Sequence, residues 1–193
     1  MYTVYSVLRK SQLVDLYGLH KQKNYDIMHM NGGFGMFLYR KATLEDLERI
    51  WNRNIAENPE DPRYLRWKKD FISRNLEDRA ATFLVIADGE PIGEVTLAYR
   101  QQGNRASLAD GITTGYVQAL RIRKEFEGQG HVSKMMALME QYAIQRGLTC
   151  LTIGVEATET RNLAIYLHWG YNRFLMAEEE DGELVLFYGK NLR

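Results

Sequence analysis

Two apolar, β-rich runs, residues 82–87 and 91–99, are separated only by Asp88-Gly89-Glu90, and no other feature restricts the fold of this chain as tightly. A glycine in so short a connection supplies the positive φ that a tight hairpin turn needs, so the runs must pair antiparallel. The helices are legible from spacing. Thr43 with Asp46 three residues on forms a capping-box-like start, after which Leu44, Leu47, Trp51 and Ile55 recur at helical intervals. Asp61-Pro62 opens a second helix, because proline suits the first helical position, and Tyr64, Trp67, Phe71 and Ile72 then share a face. A third helix runs from Gly130 to the stop at Gly147, with Val132, Met135, Met136, Met139, Tyr142 and Ala143 on its apolar side. The methionine stripe is read as core packing.

Further strands are expected over 36–40, 113–122, 148–155, 171–177 and 183–188, with a helix capped by Thr158 or Thr160 and ending near His168. Residues 100–111 are polar and read as a loop. The order is β-α-α-β-β-β-α-β-α-β-β: an α/β (α+β) chain with a mixed, mostly antiparallel central sheet flanked by helices. At 193 residues, with no repeat and three prolines, one domain is expected over 36–193. Residues 1–35 carry scattered apolar positions and end in Asn31-Gly32-Gly33-Phe34-Gly35; they read as an N-terminal extension of unknown role, a helix being one reading.

Composition narrows the partners. With 25 Lys plus Arg against 25 Asp plus Glu, the chain has no net field to steer it toward nucleic acid or anionic lipid, so neither a nucleic-acid nor a membrane partner is expected. The single Cys150 cannot form an internal disulfide, and no signal-peptide-length apolar run follows Met1, which together suggest a cytoplasmic setting.

Chemistry concentrates at the junction Ala119-Leu120-Arg121-Ile122-Arg123-Lys124-Glu125-Phe126-Glu127-Gly128-Gln129-Gly130-His131-Val132-Ser133, where a strand passes through a glycine turn into a helix. A helix N-terminus presents unpaired N–H groups with partial positive charge, and Gly128 and Gly130 let an anion approach without meeting a Cβ. The residues alone leave an ordinary strand-to-helix turn equally open, and neither a Walker lysine pattern nor a dinucleotide fingerprint is present.

The segment resembles motif A of the GNAT superfamily of N-acetyltransferases, with Gly130 at the first glycine. Glu127 stands where Arg or Gln is usual, and Val132 where Gly or Ala is usual. The stretch Glu159-Thr160-Arg161-Asn162-Leu163-Ala164-Ile165-Tyr166-Leu167-His168-Trp169-Gly170-Tyr171 resembles motif B, with Tyr166, Gly170 and Tyr171 matching and Glu159 in the usual Asn position. The resemblance implies a GNAT-like fold and acetyl-CoA as cosubstrate with no metal. It further implies acetyl transfer to a primary amine, small or peptidyl, by direct attack in a ternary complex. Main-chain amides of Gly128, Gln129, Gly130, His131, Val132 and Ser133 would hold the coenzyme A pyrophosphate, the strand of Leu120, Arg121 and Ile122 would point a backbone N–H at the acetyl carbonyl, and Glu159 would stand at the position near the pantetheine arm. A homodimer is compatible with it.

Amine acetylation needs a neutral nucleophile, although an alkyl ammonium with a pKa near 10 is only about one part in a thousand deprotonated at pH 7. It also needs a fixed N–H for the carbonyl oxygen and a proton for the leaving thiolate. Tyr166 is the expected donor. Gln118 occupies the strand position where many relatives have a Glu, and an amide cannot take the proton. Glu156, just beyond the strand over 148–155, is the first choice of base, and Glu94 the second. His131 and His168 read as packing or surface residues, and Cys150 as a buried small hydrophobe. The acidic turn Glu178-Glu179-Glu180-Asp181, if it rims the acceptor cleft, would favour a cationic amine. The departures at Glu127, Val132, Gln118 and Glu159 motivate an alternative, a catalytically silent acyl-CoA-binding or regulatory domain; a nucleotide-phosphate enzyme is disfavoured for want of a lysine and metal carboxylates.

Overall fold

The computed structural model describes residues 27–30 and 36–192. Among them are eight strands and four α-helices: β1 (Ile27–Met30), β2 (Met36–Lys41), α1 (Leu44–Glu57), α2 (Arg63–Leu76), β3 (Ala80–Ala87), β4 (Glu90–Ala98), β5 (Thr114–Ile122), α3 (His131–Gln145), β6 (Cys150–Glu156), α4 (Thr160–His168), β7 (Arg173–Glu180) and β8 (Glu183–Asn191). They form one sheet in the order β1-β2-β3-β4-β5-β6-β8-β7. Every neighbouring pair is antiparallel except β5 and β6, which α3 connects as a crossover.

The hairpin formed by β3 and β4 sits at the centre of the sheet. Asp88 and Gly89 both have positive φ, 50° and 83°, which matches the turn twist to the strand twist. β3 is buried at all eight positions because it is covered on both faces. Leu84 and Ile86 meet Ile50 of α1 on one side. Phe83 and Val85, with Val95, Leu97 and Val117, meet Met135, Met136 and Met139 of α3 on the other, so the methionine stripe is core. Thr43 does cap α1, its hydroxyl accepting from the Asp46 N–H and the Asp46 carboxylate accepting from the Thr43 N–H at 2.7 Å.

The structure differs from the sequence reading at several boundaries. β1 carries the sheet back before residue 36 by pairing with β2; the rest of the expected extension lies outside the described residues. The 100–111 segment is a loop as read, with a short 3-10 turn, but it is pinned: Leu108 and Ala109 are fully buried and Thr152 donates to the Leu108 carbonyl at 2.6 Å. Neither Thr158 nor Thr160 caps α4; Glu159 holds the cap position, its side chain making no bond to the N–H groups of the first turn.

Candidate functional site

The parallel pair sets the geometry. β5 and β6 are paired only from Thr114↔Cys150 to Val117↔Ile153. Beyond that point β5 follows β4 to Ile122 and β6 follows β8 to Glu156, so the strands part at their C-terminal ends. That is where α3 and α4 begin, and ligands of open α/β sheets bind outside the carboxyl ends of strands at such a switch point. A β-bulge sharpens the divergence: pairing steps from Glu94↔Arg121 to Thr96↔Gln118, leaving Ala119 and Leu120 against Val95 alone. Ala119 takes φ of 52°, unusual for a residue with a Cβ, and such strain of about 1–3 kcal/mol collects at functional sites. Past the bulge, Leu120 and Ile122 pack on the α3 core, and Arg121 meets Glu94 on the α1 face.

The turn into α3 is shaped as an anion cradle. Gly128 and Gly130 have φ of 73° and 79°, so their backbone conformation selects glycine. A Cβ at either would meet no atom within 4 Å, which leaves the approach to the main chain open. Gly130 is the N-cap of α3 with no side chain bonded to the first turn, so the orphan N–H groups of that turn have no side-chain cap.

A cleft of about 580 Å³ spans the gap. Of the residues expected from sequence it brings together Leu120, Arg121, Ile122, Gly128, Gly130, His131, Val132 and Ser133 from the β5–α3 side and Tyr166 from α4. The Tyr166 ring is half-buried against Trp169 and Tyr171, centroids at 6.0 and 6.5 Å. Burial, aided by the Glu159 charge, pushes its phenol up to about 12, so it is protonated at neutral pH.

Three expected residues do not line the cleft. Gln129 is exposed and its side-chain amide donates to the Glu125 carbonyl at 3.0 Å, bracing the turn. Glu159 is exposed, and its carboxylate accepts from the Asn162 amide. Glu156 is exposed at the end of β6, opposite Val185. His131 lines the cleft, yet its ring is 2% exposed and packs beside Phe37 at 4.4 Å, with Nδ1 2.6 Å from the Tyr39 hydroxyl; desolvation lowers its pKa and keeps it neutral. Cys150 is buried, as its apolar neighbours suggested.

Two features escaped the sequence reading. Across the mouth of the cleft Glu127 faces Arg161 at 3.6 Å, so the carboxylate at the departing motif position is answered by a cation from the opposite lip. The bulge at Ala119 left no trace in composition or spacing. Glu94 proves more confined than expected. It is 6% exposed, with Oε1 3.2 Å from Arg121 Nε and Oε2 without a partner. Burial raises its pKa above the ordinary carboxylate value, against the opposing pull of Arg121 and Arg53. The acidic turn is also largely spoken for: Glu178 and Glu180 each lie 3.0 Å from Arg105, and Asp181 lies 4.0 Å from Arg63. Among the described residues no group of three or more His, Cys, Asp or Glu side chains is placed to hold a metal, and no helix is long and apolar enough to cross a membrane.

Comparison with known proteins gives the same outline. The model of the Acetyltransferase (GNAT) family matches residues 42–171. Among solved structures, a ribosomal-protein-alanine N-acetyltransferase from Brucella melitensis superposes with a TM-score of 0.61 at 16% identity, over 80% of this chain and 99% of that one. A GNAT-family acetyltransferase from Streptococcus pneumoniae gives 0.60 at 17% identity, over 81% and 99%. An acetyltransferase from Salmonella typhimurium that modifies the N-terminal serine of ribosomal protein L7/L12 gives 0.59 at 12% identity, over 81% and 95%. No curated protein matches the chain in sequence.

Proposed function

The chain belongs to the GNAT acetyltransferase family, and on that premise we propose that it is an acetyl-CoA-dependent N-acetyltransferase acting on a primary amine by direct attack in a ternary complex. One observation carries the reading: the uncapped N-terminus of α3, opened by Gly128 and Gly130, and the protonated phenol of Tyr166 face one cleft. The cradle fits a diphosphate, because it offers main-chain donors at the positive end of a helix and nothing that a Cβ-sized approach would strike. When bound, acetyl-CoA supplies an activated acetyl thioester with a thiolate leaving group.

Amides from Gly128 to Ser133 hold the diphosphate, and Glu127 keeps its charge on Arg161 rather than toward it. A main-chain N–H of Leu120 to Ile122, turned by the bulge, offers a fixed dipole where negative charge develops on the carbonyl oxygen. Tyr166 holds a proton for the departing sulfur. For the base, confinement and a raised pKa favour Glu94, on the α1 face beside Arg121, over the exposed Glu156. Arg121 lines the cleft, so Glu94 is one side chain removed from it. Action in the cytoplasm is part of the same reading, suited to a chain with one buried, unpaired cysteine.

Thiol release from acetyl-CoA across a panel of small amines and peptides tests the proposal. Turnover on at least one amine is expected. Retained acetyl-CoA binding with no release on any of them would replace it with the silent binding module.

A further inference from the structure

On the α1 and α2 side of β5 lies a second cleft of about 490 Å³, within the range of small-molecule sites. Arg121 lines both this cleft and the one above the α3 cradle, so both reach the end of β5. Its walls are aromatic: Trp51 lies 5.1 Å from Phe71, and Tyr64 5.1 Å from Trp67, ring to ring. α2 has an apolar stripe but no fully buried residue, because Tyr64, Trp67 and Phe71 face the cleft rather than the core.

The buried, unpartnered polar atoms in those walls are all donors. Three buried side-chain nitrogens lack a hydrogen-bond partner: Trp51 Nε1, Arg74 Nε and Gln118 Nε2. All three carry hydrogens to donate, and Trp51 is 3% exposed. The two carboxylates in the same walls are committed, Asp70 to Arg74 at 2.7 Å and Glu180 to Arg105 at 3.0 Å. Arg121 is bound only through Nε, to Glu94, and its side chain stays 47% exposed. An ammonium entering here would find only carboxylates already ion-paired with Arg74 and Arg105, whereas a carboxylate would find the unpartnered donors and the free end of the Arg121 guanidinium.

We propose that this cleft receives an acceptor with a carboxylate beside its amine and an apolar or aromatic side chain, that is, a free α-amino acid, and that the orphaned donors of Trp51, Arg74 and Gln118 together with Arg121 select it. The inference rests on the acetyl-transfer reading for its chemistry, but not for its binding. The amine and carboxylate sit one carbon apart, so anchoring the carboxylate at the β5 end holds the amine near the bulge, and the ring lies against Tyr64 and Trp67. A polyamine, one of the cationic amines that an acidic rim would favour, has no carboxylate in these walls that is not already ion-paired.

The test uses two readouts on the whole chain, tryptophan fluorescence titration in the presence of coenzyme A and thiol release from acetyl-CoA. The ligands are phenylalanine, phenylalaninamide, phenethylamine and spermidine. Phenylalanine should bind at least about tenfold more tightly than phenethylamine, equivalent to about 1.4 kcal/mol, and be the preferred acceptor by kcat/KM. Gln118→Leu, close in volume, should raise the KM for phenylalanine several-fold and narrow its advantage over phenethylamine. Equal or tighter binding of phenethylamine or spermidine overturns the proposal, and so does phenylalaninamide matching phenylalanine, which would point to a peptide N-terminus. Selective phenylalanine binding without thiol release would sustain this site and defeat the acetyl-transfer reading; thiol release confined to amines without a carboxylate would do the reverse.

Discussion

Replacing Glu94 by Gln separates the proposed catalytic role of this carboxyl from its effect on stability, because the two should move in opposite directions. Glu94 is 6% exposed, has one oxygen 3.2 Å from Arg121 Nε and leaves the other unmet. Burial raises its pKa above the usual value of about 4.3. A carboxyl that holds its proton more tightly when folded contributes stability that is fully present below pH about 4 and lost as pH rises through the folded pKa. Above the folded pKa the ionised group is therefore a liability, an incompletely paired charge of the kind that costs about 1–3 kcal/mol. Glutamine keeps an oxygen for Arg121 and removes the charge. We expect Glu94→Gln to stabilise the protein at pH 7 by about 1 kcal/mol, a rise in Tm of about 2–4 °C for a chain of this size, and to show no gain at pH 4. The same variant should lose about 10²- to 10⁴-fold in kcat/KM if Glu94 is the base, and the acidic limb of the wild-type pH profile should vanish. Calorimetry at the two pH values and thiol-release kinetics across pH 5–9 make the measurement. A variant less stable than wild type at pH 7 would refute the electrostatic reasoning, and kcat/KM within threefold of wild type would remove Glu94 from the mechanism.

Tyr166→Phe should lower kcat about tenfold to a thousandfold with acetyl-CoA affinity nearly intact; with the phenol held at about 12, wild-type kcat should show no alkaline fall before pH 10, and a fall near pH 8 in the wild type alone would count against it. Gly130→Ala places a Cβ at φ of 79°, costing about 1–2 kcal/mol, and brings a methyl into the cradle; denaturant titration and the acetyl-CoA KM should both worsen, and an unchanged KM would move the diphosphate elsewhere. Glu127→Gln removes a negative charge beside the α3 N-terminus and frees Arg161, so coenzyme A should bind about two- to fivefold more tightly at low salt, and weaker binding in a calorimetric titration would contradict the cradle.

Much of the fold was visible in the residues because its signals are local. The Asp88-Gly89 turn, the Thr43–Asp46 cap and the Met135, Met136, Met139 stripe each need only a few neighbours in sequence, and each formed as read. Boundaries failed where distant contacts decide them. α4 starts at Thr160 with Glu159 as its cap, without the threonine cap that its sequence offers, and the anchoring of the 100–111 loop by Thr152 was equally out of reach of local signals.

The site divides along the same line. Sequence fixed neither the distance between motifs nor what faces what, but its glycines at 128 and 130 already required a backbone that only glycine adopts readily, and those positions needed no partner to be recognised. Tertiary structure alone parted β5 from β6 beyond Val117, bent β5 at Ala119, set Arg161 opposite Glu127 and closed Glu94 away from water. Each of these joins residues far apart along the chain, and a pairing energy between such residues exists only once the sheet has brought them into contact.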